Sequence, residues 1–160
     1  KAVGVDGGPR PNIEPVAPPV VAFSGAYAPG SIVIDTNARK LFYVRGHMSA
    51  FAYPIGVGRE GFSWTGKEKV SRVADWPDWY PPPTMIARQP YLPRMVAGGP
   101  GNPLGARAMY IGGTEYRIHG TNQPWTLGRA MSSGCIRMSN NDVKFLYDKV
   151  GIGTRVIVRR

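Results

Sequence analysis

Turn-forming residues set the strongest limit on this chain. Glycine occurs 21 times and proline 16 times in 160 residues, and each is costly inside a helix. A helix bundle is therefore disfavoured, and short strands joined by many turns are favoured. The apolar share, 42%, is enough for one domain with a real core. No stretch reaches the roughly 18 uninterrupted apolar residues of a membrane-spanning helix.

Residues 1–26 read as a proline-rich tail or linker. Pro9, Pro11, Pro15, Pro18 and Pro19 predict an extended, weakly structured segment that lies along the domain or tethers it elsewhere. The domain proper is expected over 27–160. Residues 31–34 predict a strand, Asp35-Thr36-Asn37 a turn, and 40–44 the return strand. A turn at Arg45-Gly46 leads to a third strand over 50–57, in which Pro54 marks an edge or bulge. Residues 58–107 carry Trp64, Trp76, Trp79, Pro81-Pro82-Pro83 and Gly98-Gly99-Pro100-Gly101, and read as a long loop-rich excursion. It is either a lid or rim over a groove or a surface excursion packed by its own tryptophans. Residues 108–111 and 115–118 predict a hairpin about Gly112-Gly113. Ser139, with Asp142 three residues on, predicts a helix start. Val143, Leu146, Tyr147 and Val150 then recur with helical period as far as Gly151. Residues 153–158 predict a closing strand.

The net charge is +10 and the pI about 10.1. The cations are scattered, without the basic run and interleaved aromatics of a nucleic-acid-binding sheet. The charge suits an anionic, carboxylate-rich polymer or surface. The single cysteine, Cys135, cannot form an internal disulfide, and with two histidines it does not complete a four-ligand zinc site.

Cys135 has two readings. It is a buried small hydrophobe, or it is a nucleophile, which needs a base or cation to form its thiolate. Gly134 permits the tight turn and close substrate approach a nucleophile requires, and such a turn aims backbone N–H groups at an oxyanion. His119 and Arg137 are the candidate partners. His119 ends a predicted strand, a rigid mount for a base. No acidic residue lies between positions 116 and 141, so a backbone carbonyl near Gly120 is the expected orienter of the imidazole. Arg137, two residues after Cys135, shares its face if that stretch is extended; it steadies an oxyanion or binds a substrate carboxylate, or makes a packing ion pair. His47 falls in a turn and reads as solvated. Ser132, Ser133 and Thr121 read as loop hydrogen-bonders rather than nucleophiles.

At this point the residues become specific. His119-Gly120-Thr121-Asn122-Gln123-Pro124, Leu127-Gly128, Ser132-Ser133-Gly134-Cys135-Ile136-Arg137-Met138 and Asn140-Asn141-Asp142 occur in that order. The series resembles the L,D-transpeptidase (YkuD) domain, and within it the ErfK/YbiS-type branch of Gram-negative bacteria. The likeness runs from about Tyr27 to Val158. It implies a mainly β, sandwich-like domain with a few short helices and a long Trp/Pro-rich loop. It implies a peptidoglycan L,D-transpeptidase with Cys135 as nucleophile and His119 as general base and acid. The Gly120 carbonyl would orient His119, and the backbone N–H groups of Gly134 and Cys135 would form the oxyanion hole. Arg137, Ser133, Thr121, Asn122 and Trp125 are the expected substrate contacts. The donor would be a tetrapeptide stem that loses D-alanine. The acceptor would be an amine of a second stem, giving 3→3 cross-links, or a lysine of an outer-membrane protein; water would give L,D-carboxypeptidase activity. The resemblance further implies inhibition by carbapenem β-lactams and a periplasmic location, with the signal peptide absent from this chain. No cofactor, metal or nucleic acid is expected. One departure is Ser133, where many members carry histidine.

The rival readings fit less well. Sortases place the histidine much farther upstream, and papain-like and NlpC/P60-like hydrolases place cysteine before histidine. A silent wall-binding module would keep the fold without a reactive thiol, and a basic nucleic-acid binder would show a steep salt dependence on duplex DNA.

Overall fold

The computed structural model describes residues 4–58, 65–114, 116–127, 130–131 and 136–160. It is mainly β, as the turn-rich sequence predicts. The expected meander forms from β3 (Ile32–Asp35), β4 (Lys40–Gly46) and β5 (Ser49–Pro54). Its second turn falls two residues later than predicted. β4 runs through Gly46, and His47 and Met48 form the two-residue connection with φ of 52° and 55°. Positive φ at both central positions is what a hairpin turn matching the strand twist requires.

The predicted third strand is two strands. β5 stays with β4, whereas β6 (Gly56–Gly58) belongs to the other half of the structure. Pro54 lacks the N–H that a continuing ladder needs, and the chain crosses over at Ile55, which is fully buried.

The 58–107 excursion also contains an unpredicted element. β7 (Gly66–Asp75) is the longest strand and sits at the centre of the sheet. Its charged residues, Lys67, Glu68, Lys69 and Arg72, hide a strand in which Val70 alone is fully buried. The first half of β7 pairs with β13 (Arg155–Arg159) and the second half with β9 (Arg107–Ile111). The ladder slips between Val70 and Arg72, and such an irregularity bends a strand so that it serves two sheets. One half of the molecule is thus β7-β13-β3-β4-β5 edged by β2 (Val20–Ala22). The other is β7-β9 followed by β10 (Arg117–His119), β12 (Ile136–Arg137), β6 and β11 (Ala130–Met131). Both halves contribute to one core with Val143 and Leu146 of helix α2 (Asn140–Tyr147). Ser139 caps α2, its hydroxyl accepting from the Asp142 N–H at 3.2 Å, as predicted.

The rest of the excursion is held by backbone. Helix α1 (Pro83–Arg88) is a short surface turn begun by proline, and β8 (Met95–Val96) follows. Asn102, fully buried, ties the loop together. Its amide donates to the carbonyls of Pro77, Val96 and Ala97, and its Oδ1 accepts from Leu104 N–H at 2.8 Å. Trp64 lies outside the described residues.

The N-terminal segment is extended, as its prolines dictate, but it is anchored and not loose. β1 (Gly4–Val5) pairs with β8, Gly7 accepts from Gly101 N–H, and the Glu14 carbonyl accepts from Asn141 Nδ2 at 2.7 Å. β2 then extends the sheet beside β5. Backbone pairing fixes this segment, which a side-chain pattern does not reveal.

Candidate active site

Strand periodicity places the central residues. In β10, Ile118 points into the core and His119 to the opposite face. The same division runs across the neighbouring strands. Met109, Ile118, Ile136 and Val57 are register partners, all essentially fully buried in the core. Ala108, His119, Arg137 and Gly56 are the partners one residue on, and they share the other face. The large side chains of His119 and Arg137 thus stand side by side, flanked by small Ala108 and Gly56. A methyl group at Gly56 would lie 3.4 Å from Arg137 Nη2 and 3.6 Å from Leu127 Cδ2, so the guanidinium and Leu127 lie over this glycine. The row is roofed: His119 is 4% and Arg137 7% exposed.

His119 is oriented as the sequence predicts. Its Nδ1 hydrogen-bonds the carbonyl oxygen of Gly120. A carbonyl only accepts, so Nδ1 carries the proton and Nε2 keeps its lone pair. Burial pushes the imidazole pKa down to about 3. The Gly120 carbonyl acts against that shift, the Arg117 and Arg137 cations add to it, and the backbone of Leu104 opposes it. At neutral pH the ring is uncharged.

Of the other predicted residues, Thr121 is buried and its hydroxyl accepts from Gln123 N–H at 2.9 Å. Asn122 donates to the Gly101 carbonyl at 3.4 Å. Trp125 sits on the short turn Pro124–Thr126 and is 68% exposed. Ser132, Ser133, Gly134 and Cys135 lie outside the described residues. The described strands bracket them: Met131 pairs with Gly58 and Ile136 with Val57, both on β6. Asn140, quoted in the motif without a role, lies against Gly105 and Gly120 behind His119; the two glycines are the signal that a bulky group packs there. A cavity of about 700 Å³ opens elsewhere, at the far end of the β9–β10 hairpin, lined by Tyr27, Lys67, Lys69, Gly112, Arg155 and Ile157 among others. None of the motif residues lines it, so the geometry of the His119 row and not cavity size identifies the site.

A buried neutral histidine with a fixed tautomer on a strand of the sheet is an arrangement compatible with base-assisted nucleophilic chemistry. The family is given by comparison: the L,D-transpeptidase catalytic domain matches residues 29–158. The chain belongs to this family. The probable L,D-transpeptidase YbiS of Escherichia coli K12 is 40% identical over 136 residues, covering 79% of this chain and 43% of that protein. The chain thus spans less than half the length of this curated relative. A Brucella melitensis structure, named as a probable carnitine operon oxidoreductase, is 46% identical with a TM-score of 0.61, covering 90% of this chain and 94% of that one. L,D-transpeptidase 3 of Mycobacterium tuberculosis, solved with a faropenem-derived adduct, has a TM-score of 0.59 at 17% identity, covering 81% of this chain and 60% of that one. At that identity the likeness is one of fold.

Proposed function

We propose that the chain is a peptidoglycan L,D-transpeptidase acting through a Cys135 thioester. The observation that carries the reading is His119: buried, neutral, held at Nδ1 by the Gly120 carbonyl, and in register with β12. Cys135 directly precedes Ile136, which is the register partner of Ile118 on the strand that ends in His119.

The thiol proton passes to His119 Nε2 as sulfur attacks the carbonyl at the L-centre of the stem's diaminopimelate. The developing oxyanion is met by the N–H groups of Gly134 and Cys135. The C–N bond to D-alanine breaks, and the proton on His119 goes to the leaving amine. An amine of a second stem then attacks the thioester, giving a 3→3 cross-link and returning the thiol. A lysine of an outer-membrane protein is the alternative acceptor, and water yields the carboxypeptidase product. Because burial disfavours the imidazolium, the proton moves with the attack and does not rest on His119 in a standing ion pair. Arg117 and Arg137 disfavour positive charge on the ring. Ser133, Thr121, Asn122 and Trp125 line the path of the stem in this reading, and carbapenems acylate Cys135. The catalytic domain is 27–160, with residues 1–26 bracing it, and the protein works in the periplasm.

The test is intact mass after incubation with a disaccharide-tetrapeptide, with and without a carbapenem, for wild type and Cys135→Ala. An adduct on wild type alone, with release of D-alanine and a 3→3 dimer, is expected. A folded wild type that gains no mass from either compound overturns the reading in favour of a silent wall-binding domain.

A further inference from the structure

We propose that Asn140 is a positioning residue, which sets the tautomer and angle of His119 through the peptide unit between Gly120 and Thr121. The inference rests on His119 as the base of the proposed reaction. Three segments far apart in sequence meet at one side-chain oxygen. Asn140 Oδ1 accepts from Ala106 N–H at 3.0 Å and from Thr121 N–H at 3.3 Å. The Thr121 N–H belongs to the same planar amide as the Gly120 carbonyl, and in a trans peptide the two groups point in opposite directions. One end of that amide is therefore held by Asn140 and the other receives His119 Nδ1.

A rigid plane fixed at its N–H has a fixed carbonyl. The chain of bonds runs from His119 Nδ1–H to the Gly120 oxygen, and from Thr121 N–H to Asn140 Oδ1. Each bond polarises the next in a poorly solvated setting.

The packing is built around this contact. A methyl group at Gly120 or at Gly105 would overlap Asn140 Oδ1, and Gly105 holds a φ of 68° that favours glycine. Asn140 itself is the first residue of α2, next to the Ser139 cap, so the oxygen is mounted on a helix end anchored in the core. Leu104, whose backbone also acts on His119, precedes Gly105 in the same knot. Asparagine suits this place because its carbonyl accepts two N–H bonds without bringing a charge beside the base.

The test compares Asn140→Ala with Asn140→Asp, reading the Nδ1 proton resonance of His119 by NMR together with kcat and KM. A carboxylate accepts the same two N–H bonds, so Asn140→Asp keeps the far-downfield Nδ1 proton, while the charge it brings beside the base is read separately in kcat. Asn140→Ala is expected to shift or broaden that resonance and lower kcat about 10-fold or more with KM little changed, as misplacement of a catalytic group does. A folded Asn140→Ala protein with resonance and kcat unchanged overturns the proposal, as does a folded Asn140→Asp protein that loses the resonance. Should the alanine variant fail to fold, amide exchange in wild type decides. A Thr121 N–H protected well above open-loop amides is expected, and one exchanging at the open-loop rate refutes the bond. The resonance does not depend on turnover, so a wild type inactive on stems would remove the proposed reaction while the Asn140 result stood.

Discussion

His119 is buried without charge, and that makes stability depend on pH in a calculable way. The ordinary imidazole pKa is about 6.5, which the unfolded chain keeps; the folded protein holds His119 at about 3. Between these values the unfolded state binds a proton that the folded state refuses. The folded pKa is the lower one, so the stability is present above about 6.5 and is lost progressively as pH falls toward 3. Once the unfolded imidazole is fully protonated the loss is about 1.4 kcal/mol per pH unit. From pH 7, where roughly a quarter of unfolded chains carry the proton, to pH 5, where nearly all do, His119 removes roughly 2 kcal/mol. That difference barely depends on the folded value as long as it stays well below 5.

The perturbation is His119→Asn, which removes the titration and keeps an amide N–H to donate to the Gly120 carbonyl. Urea unfolding, followed by tryptophan fluorescence at pH 7, 6 and 5, gives the stability of both proteins. Asp142 acts with the opposite sign: burial raises its carboxyl pKa, so its contribution is lost as pH rises through its folded value. It is present in both proteins and cancels in the difference. Wild type should lose roughly 2 kcal/mol more than the variant between pH 7 and 5. Parallel curves would refute the argument, because they would mean that the folded protein accepts a charged His119 as readily as water does.

Three further substitutions probe the same region. Arg137→Met removes one of the two cations that disfavour the imidazolium, so the His119 pKa should rise while staying below 6.5, because burial remains the largest cause; an imidazole NMR titration reads it. Gly120→Ala forces a methyl group against Asn140 Oδ1 and to within 3.1 Å of Ala106 N, and should cost about 2 kcal/mol or more in urea unfolding. Asn102→Ala removes the side-chain donor to the Pro77 and Ala97 carbonyls and the acceptor of the Leu104 N–H, while the Val96 carbonyl keeps the Trp79 N–H. The expected loss is roughly 3 kcal/mol, read as a lower urea midpoint with an unchanged slope.

The meander and the cap of α2 were legible because their signals are local: a turn cluster between β-branched runs, and a serine three residues before an aspartate. His119, Gly120 and Arg137 were legible for a related reason, since they stand on contiguous motif segments and strand alternation decides their face. β7 was not, because its outward-facing charges outnumber its buried residues and no short window shows that it lies between two sheets. The break at Ile55 was half legible: Pro54 announced an interruption, but only the pairing of β6 with β11 and β12 shows where the chain goes next.

Asn140 was the least legible, although the motif contains it. Its effect depends on residues 105, 120 and 140 meeting, and each is ordinary in its own neighbourhood. Gly120 carries the clearer trace of that meeting, since Gly105 closes a turn on Asn102 with a φ of 68° that favours glycine in any case. A glycine kept free of a side chain at a strand end, away from any tight turn, records something pressed against the backbone from elsewhere in the chain. At Gly120 that something is the Asn140 oxygen, which accepts from the Thr121 N–H of the peptide whose carbonyl meets His119 Nδ1. The residue next to His119 therefore lacks a side chain because Asn140 Oδ1 occupies the space.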